Sequence, residues 1–207
     1  RSITLVKPQA SAGQGIRYAS LLATLPEEND YVLITYNKRR ITAPDVYRLH
    51  VRTGKMKMVA RNPGDVQNWL VDHQGVVRGA VSINGMEGKF FLRDNADQEF
   101  ELVQAFNPLA RNMSPMGFLY DNQKLLMSSN LTTDTQALYE YDVKTRKLGK
   151  QLFHHPDYDI RGPVFSEKDQ KLIGVTYSSD KPEVHYFDEA FQQLQQQLNA
   201  SLKNKMV

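Results

Sequence analysis

Two segments of this chain follow one pattern. They are Asp45-Val46-Tyr47-Arg48-Leu49-His50-Val51-Arg52-Thr53-Gly54-Lys55 and Ala137-Leu138-Tyr139-Glu140-Tyr141-Asp142-Val143-Lys144-Thr145-Arg146-Lys147. Both alternate apolar and polar side chains, turn at a Thr, and resume on a basic residue. Alternation with a period of two marks a strand with one face buried. Tyr47 and Tyr139 lie 92 residues apart, twice 46, so a further copy is expected midway. Lys89-Phe90-Phe91-Leu92-Arg93-Asp94-Asn95-Ala96-Asp97 occupies that place, degenerate but strand-like, with a turn at Asp94 to Asp97. A repeat of this length is one supersecondary unit used several times.

Polar clusters recur with a similar period and break the apolar runs. They are Pro26 to Asp30, Asp72 to Gly75, Asp121 to Gln123 and Glu167 to Asp169. Such clusters read as turns between strands. Each repeat therefore holds up to four short strands. The first covers about 16–60, with strands near 17–24, 31–37, 45–51 and 56–60. The second covers about 66–105, the third about 114–154 and the fourth about 162–187, the last without its final strand. Four antiparallel strands in roughly 40–50 residues is the signature of a propeller blade. A sandwich also uses many short strands, but it does not explain matched segments 92 residues apart. The expected fold is all-β: a partial β-propeller of about four consecutive four-stranded blades.

The ends of the chain read differently. Residues 1–15 form an N-terminal linker or edge segment, Gly13-Gln14-Gly15 being too short for a phosphate loop. From 188 to 207 the period changes. Phe191, Leu194, Leu198 and Leu202 recur at three and four with Gln between them, an amphipathic helix with Asp188 as its N-cap. It is expected to interrupt the fourth blade and to pack its apolar stripe on the blade edge. Its polar face is Gln-rich rather than basic, which argues against a membrane-surface helix.

Composition narrows the function classes. The 26 Lys and Arg against 23 Asp and Glu give a net charge of +3, with both signs interspersed. Nucleic-acid binding needs a concentrated basic stripe, and the longest basic run is only Lys38-Arg39-Arg40. That run sits at the tip joining two strands. Solvation explains it, with capture of a substrate carboxylate as the sharper alternative. There is no cysteine, so disulfides and Cys-based zinc sites are excluded. No apolar run approaches the ~18 residues that cross a bilayer. The first residue is Arg rather than Met, which points to a trimmed N-terminus, and the compartment stays open.

No catalytic set is legible. The nucleophile elbow Gly-x-Ser-x-Gly is missing, as is the strand–helix alternation of a hydrolase sheet. His154-His155-Pro156-Asp157 resembles a metal motif, but adjacent residues on a strand point to opposite faces. It reads as a loop or strand end. His73 falls in a turn, and His50 on a solvent-facing strand position. Asp157-Tyr158-Asp159 offers two carboxylates without the rest of a calcium loop. Trp69, the single Trp, is expected as a core anchor against a neighbouring blade, with ligand stacking the weaker reading. No catalytic residue, metal ligand or cofactor site is assigned, and no substrate-binding residue is identified.

Several segments carry a family resemblance. Asp45-Val46-Tyr47-Arg48-Leu49, Thr53-Gly54-Lys55 and Ala60-Arg61-Asn62-Pro63-Gly64-Asp65-Val66 resemble the propeller of the prolyl oligopeptidase family. The flavour is that of its bacterial acylaminoacyl-peptidase or dipeptidyl-peptidase-like branch. Ser128-Ser129-Asn130, Asp134 to Asp142, His155-Pro156-Asp157 and Tyr177-Ser178-Ser179-Asp180-Lys181-Pro182 fit the same branch. The resemblance implies a serine peptidase whose propeller covers a C-terminal α/β-hydrolase domain carrying the triad. No position here matches that triad. Glu27-Glu28 superficially matches the paired glutamates that hold a peptide amine, and no role is carried over.

The expected function is therefore a non-catalytic segment that gates or orients peptides for a hydrolase domain of the same polypeptide, outside this chain. The alternative is a freestanding propeller that binds a protein without chemistry. Self-association of the piece through uncovered blade faces is a further expectation.

Overall fold

The computed structural model describes residues 10–11, 15–25 and 27–202. Most of the expected 1–15 segment, and Pro26, lie outside them. Within that segment β1 (Ala10–Ser11) pairs with β2 (Gly15–Ile16).

Four sheets follow in chain order. The first is β3 (Ala19–Thr24), β4 (Tyr31–Tyr36), β5 (Asp45–His50) and β6 (Met56–Ala60), paired in that order. The second is β7 (Val66–Val71), β8 (Val77–Asn84), β9 (Glu87–Leu92) and β10 (Glu101–Phe106). The third is β11 (Met113–Phe118), β12 (Lys124–Ser129), β13 (Ala137–Asp142) and β14 (Lys147–Phe153). The fourth has three strands, β15 (Ile160–Ser166), β16 (Lys171–Ser178) and β17 (Pro182–Tyr186). Every pairing joins consecutive strands and is antiparallel. A sandwich exchanges strands between its layers. Four successive meanders are propeller blades. The fold is a partial β-propeller, its fourth blade short of a strand, followed by the helix α1 (Glu189–Ser201).

The repeat has a physical basis in the register. Ile34 faces Tyr47, and Met127 faces Tyr139; Val32 faces Leu49, and Leu125 faces Tyr141. The aromatic–aliphatic pair Ile34–Tyr47 of blade one thus recurs as Met127–Tyr139 in blade three, while apolar Val32–Leu49 matches Leu125–Tyr141. Each first strand is bulged against its second, between Leu21 and Ala23, Val66 and Asn68, Pro115 and Gly117, and Ile160 and Gly162. A bulge adds local twist. An Asn closes the second strand of two blades: Asn37 Oδ1 accepts from Tyr18 N–H at 2.7 Å, and Asn130 Oδ1 accepts from Asn112 N–H at 2.8 Å. The polar clusters are side-chain-stapled turns. Asp72 Oδ1 accepts from Gln74 and Val76 N–H, and Asp121 Oδ1 from Gln123 and Lys124 N–H.

The chain divides into two compact units, Arg1–Ala110 and Arg111–Val207. In the first, blades one and two share a core of Leu25, Leu33, Val46, Val66, Trp69 and Val77 with their small neighbours. Burying such side chains is worth roughly 1.5–3 kcal/mol each. In the second unit, Leu126 and Leu138 of blade three pack with Ile160 and Val175 of blade four.

The helix forms as the periodicity predicts. Asp188 carboxylate accepts from Ala190 and Phe191 N–H at 3.1 and 3.3 Å, satisfying first-turn donors that have no partner within the helix. Its packing departs from expectation. Phe191 stacks on Tyr186 at 6.0 Å, but Leu194, Leu198 and Leu202 remain 51%, 38% and 39% exposed. The stripe touches β17 through its first turn only, because α1 leaves the sheet edge there.

Candidate functional site

The β4–β5 connection of blade one and the link into blade two meet in a buried polar network. Asp45, at the start of β5, has no exposed surface. Arg39 grips its carboxylate with two hydrogen bonds, Nη2 to Oδ1 at 2.8 Å and Nε to Oδ2 at 3.1 Å. Asn62 N–H donates to Oδ1 at 2.8 Å. Burial alone pushes this carboxyl up, but Arg39 and the Asn62 N–H outweigh it, and the net shift is downward. The same Arg39 also donates to Asn62 C=O. Asn62, equally buried, donates to Pro44 and Val66 C=O and accepts from Gly64 and Val66 N–H. Every polar atom of the Asn62 side chain is thereby used.

This network frames a cleft of ≈ 170 Å³ between blades one and two. Tyr18, Pro44, Val66 and Trp69 supply its apolar wall, and Thr35, Thr42 and Gln67 its polar groups. Trp69 is 6% exposed, one side covered by Phe100 at 5.9 Å. Trp69 also lines the cleft. Trp69 is thus the core anchor that its size predicts, and also part of a cleft wall.

The basic tip is organised rather than merely solvated. Arg39 is committed to Asp45 and Asn62. Arg40 donates to Pro63 C=O at 2.9 Å. Arg17, beside Tyr18, donates to the carbonyls of Asn37 and Lys38. Lys38 is exposed.

The other sequence candidates disperse. His154 and His155 follow β14 as a strand end, as expected. His155 Nδ1 accepts from Asp157 N–H, and its ring stacks on Tyr177 at 4.9 Å. Asp159 accepts from Gln136 N–H at 2.7 Å, while Asp157 bonds His155 through its backbone N–H. His185 lies between Phe153 and Phe187, at 4.5 and 5.4 Å, and burial pushes its pKa down. His50 is only partly exposed. It is half-buried, edge-on to Tyr31 of the preceding strand β4 at 4.8 Å, the residue it pairs with in the sheet. His73 is in the turn. Glu28 pairs with Arg48 across the sheet, which breaks up the Glu27-Glu28 pair.

Among the described residues no group of three His, Asp or Glu is placed to hold a metal ion. The hydroxyls of Ser128, Ser166 and Ser179 are bonded to Gln136, Asp169 and Glu183, none to a His. No helix among them is long and apolar enough to cross a membrane. The cleft is what sequence reasoning missed. Its lining comes from β4, β7, the β4–β5 connection and the residue before β3, and only Trp69 carried a signal.

Comparison with known proteins yields fold but no family. No family model matches the chain, and no curated protein matches it. Among solved structures, TolB from Acinetobacter baumannii aligns over 82% of this chain and 43% of its own, with 11% identity and a TM-score of 0.55. One of two prolyl endopeptidases analysed for inter-domain dynamics aligns over 83% of this chain and 27% of its own, with 12% identity and a TM-score of 0.55. The chain spans less than half the length of either. At these identities the likeness shows the fold. It agrees with the blade topology read from the strand order.

Proposed function

We propose that this chain is the non-catalytic propeller segment of a serine peptidase, and that it admits or orients peptides for an α/β-hydrolase domain of the same polypeptide. The observation that carries the reading is the blade architecture, four successive antiparallel meanders. Among the described residues, the hydroxyls of Ser128, Ser166 and Ser179 bond Gln136, Asp169 and Glu183. The fold-level likeness to a prolyl endopeptidase supports it, as does the segment order of the sequence resemblance. TolB matches with the same TM-score. The same fold therefore also supports a second reading, a freestanding propeller that binds a protein without chemistry.

A fluorophosphonate probe separates the two. Applied to the full-length parent polypeptide, it is expected to label one serine outside residues 1–207, and to leave the 207-residue chain unlabelled. A gating role further predicts that the labelled parent cleaves short peptides and spares folded proteins. A parent with no reactive serine removes the peptidase reading and leaves the binding module.

A further inference from the structure

We infer that β17 is the docking edge for a second copy of this chain, the two β17 strands pairing antiparallel about a two-fold axis at His185. The inference goes beyond the peptidase reading and stands apart from it.

The other blades show how an outer edge is protected. Their fourth strands β6, β10 and β14 are each bulged against the third strand. Each also carries charge: Lys57 in β6, Glu101 in β10, Lys147 and Lys150 in β14. Bulges and edge charges, lysine above all, discourage pairing with another chain. β17 lacks these devices over most of its length. Its ladder with β16 has no register shift, and Val184, His185 and Tyr186 carry no formal charge at pH 7. Among the described residues it pairs with β16 alone. Phe187 N–H donates to Ile173 C=O. With the register of this ladder, residues 183, 185 and 187 therefore turn their backbone groups toward β16. Val184 and Tyr186 turn theirs outward, so the edge presents their N–H and C=O groups.

The strand that fits this edge is β17 itself. With Val184 opposite Tyr186 of the second copy, and Tyr186 opposite its Val184, all of these groups are paired and His185 faces its own counterpart. No like charges meet at pH 7. Glu183 falls opposite Phe187 of the second copy, and its carboxylate is held at home by Tyr177 O–H and Ser179 Oγ–H. The same register sets the exposed Lys181 against Asp188 and Glu189 at the start of the other helix, once in each direction. A two-fold axis perpendicular to the joined sheet keeps each face on its own side. Tyr186 stacks on Phe191 of α1 at 6.0 Å, so both helices start on the Tyr186 face. Leu194, Leu198 and Leu202, exposed on each copy, then share one side of the sheet, and the Gln residues between them bring no charge to a contact there. Such an isologous pairing uses both edges and closes at two copies.

The chain has no cysteine, so single introduced cysteines report the pairing. In this register the two Cα atoms at position 185 lie ~4.5 Å apart, as in any non-hydrogen-bonded antiparallel pair, within the ~4.4–6.8 Å that a disulfide spans. His185→Cys is expected to give a disulfide-linked dimer under mild oxidation. Lys181→Cys, also exposed, lies roughly 26 Å from its counterpart, eight strand positions away, and is expected to stay unlinked. Val184→Pro removes an outward N–H and spares the β16 ladder, a place where an edge strand accepts proline. In analytical ultracentrifugation it is expected to raise the dimer dissociation constant at least tenfold, with the β-sheet circular dichroism retained. If Val184→Pro fails to fold, the two cysteine variants decide. A wild-type chain that stays monomeric, or Lys181→Cys linking as fast as His185→Cys, overturns the inference. So does a longer parent polypeptide in which His185→Cys no longer links, because a strand of its own then lies beside β17. The fluorophosphonate result bears on the peptidase reading and leaves this one unchanged.

Discussion

Asp45 shows how one side chain can hold a blade junction. It is buried, doubly bonded to Arg39, and tied to the chain that enters blade two. Replacing the carboxylate leaves the partly exposed Arg39 and the buried Asn62 N–H without their charged acceptor. Asp45→Asn is expected to cost about 1.5–3 kcal/mol, read as a lower urea midpoint with unchanged slope. The pH dependence follows from the lowered pKa. The stabilisation is fully present above the carboxyl's unfolded value, near 3.9, and is lost as pH falls through the lower folded value. The wild-type chain should therefore lose stability below about pH 4 more steeply than Asp45→Asn does. Sequence alone gave no sign of this. Asp45 opens an obvious strand, but its partners lie six and seventeen positions away. Trp69 was legible as an anchor because size dictates burial. Its share in the cleft was not, since the other walls come from distant segments.

At the scale of elements, the legible parts were those with strong local periodicity. β5 and β13 alternate, are bounded by turn residues, and fall where the pattern places them. The degenerate middle copy is β9, whose Phe90 and Leu92 are fully buried although its alternation is imperfect. The helix and its cap were legible for the same reason. Its docking was not, because a periodic stripe states which face is apolar and not what covers it. That exposed stripe lies beside β17, which has one strand neighbour in its sheet. An unpaired edge and exposed leucines both favour association. Light scattering of the 207-residue chain is expected to show a mass that rises with concentration. Leu194→Gln with Leu198→Gln should reduce that rise and shift Tm by no more than about 1 °C, because neither side chain is buried. A strict monomer, or a large loss of Tm, would count against this picture of α1.

For the whole molecule, the repeat carries the argument. The matched registers Ile34–Tyr47 and Met127–Tyr139, and the bulge in every first strand, make each blade a local solution to the same problem. Local meanders need no strand exchange between sheets, so a sequence can specify them one blade at a time. The most direct test is the set of inter-strand Hα–Hα and amide NOEs in the isotope-labelled chain. They are expected only between consecutive strands, with Tyr47 opposite Ile34 and Tyr139 opposite Met127. Cross-strand NOEs joining β4 or β5 to a strand of another sheet would mean two exchanged layers, and would contradict the propeller and every functional statement built on it.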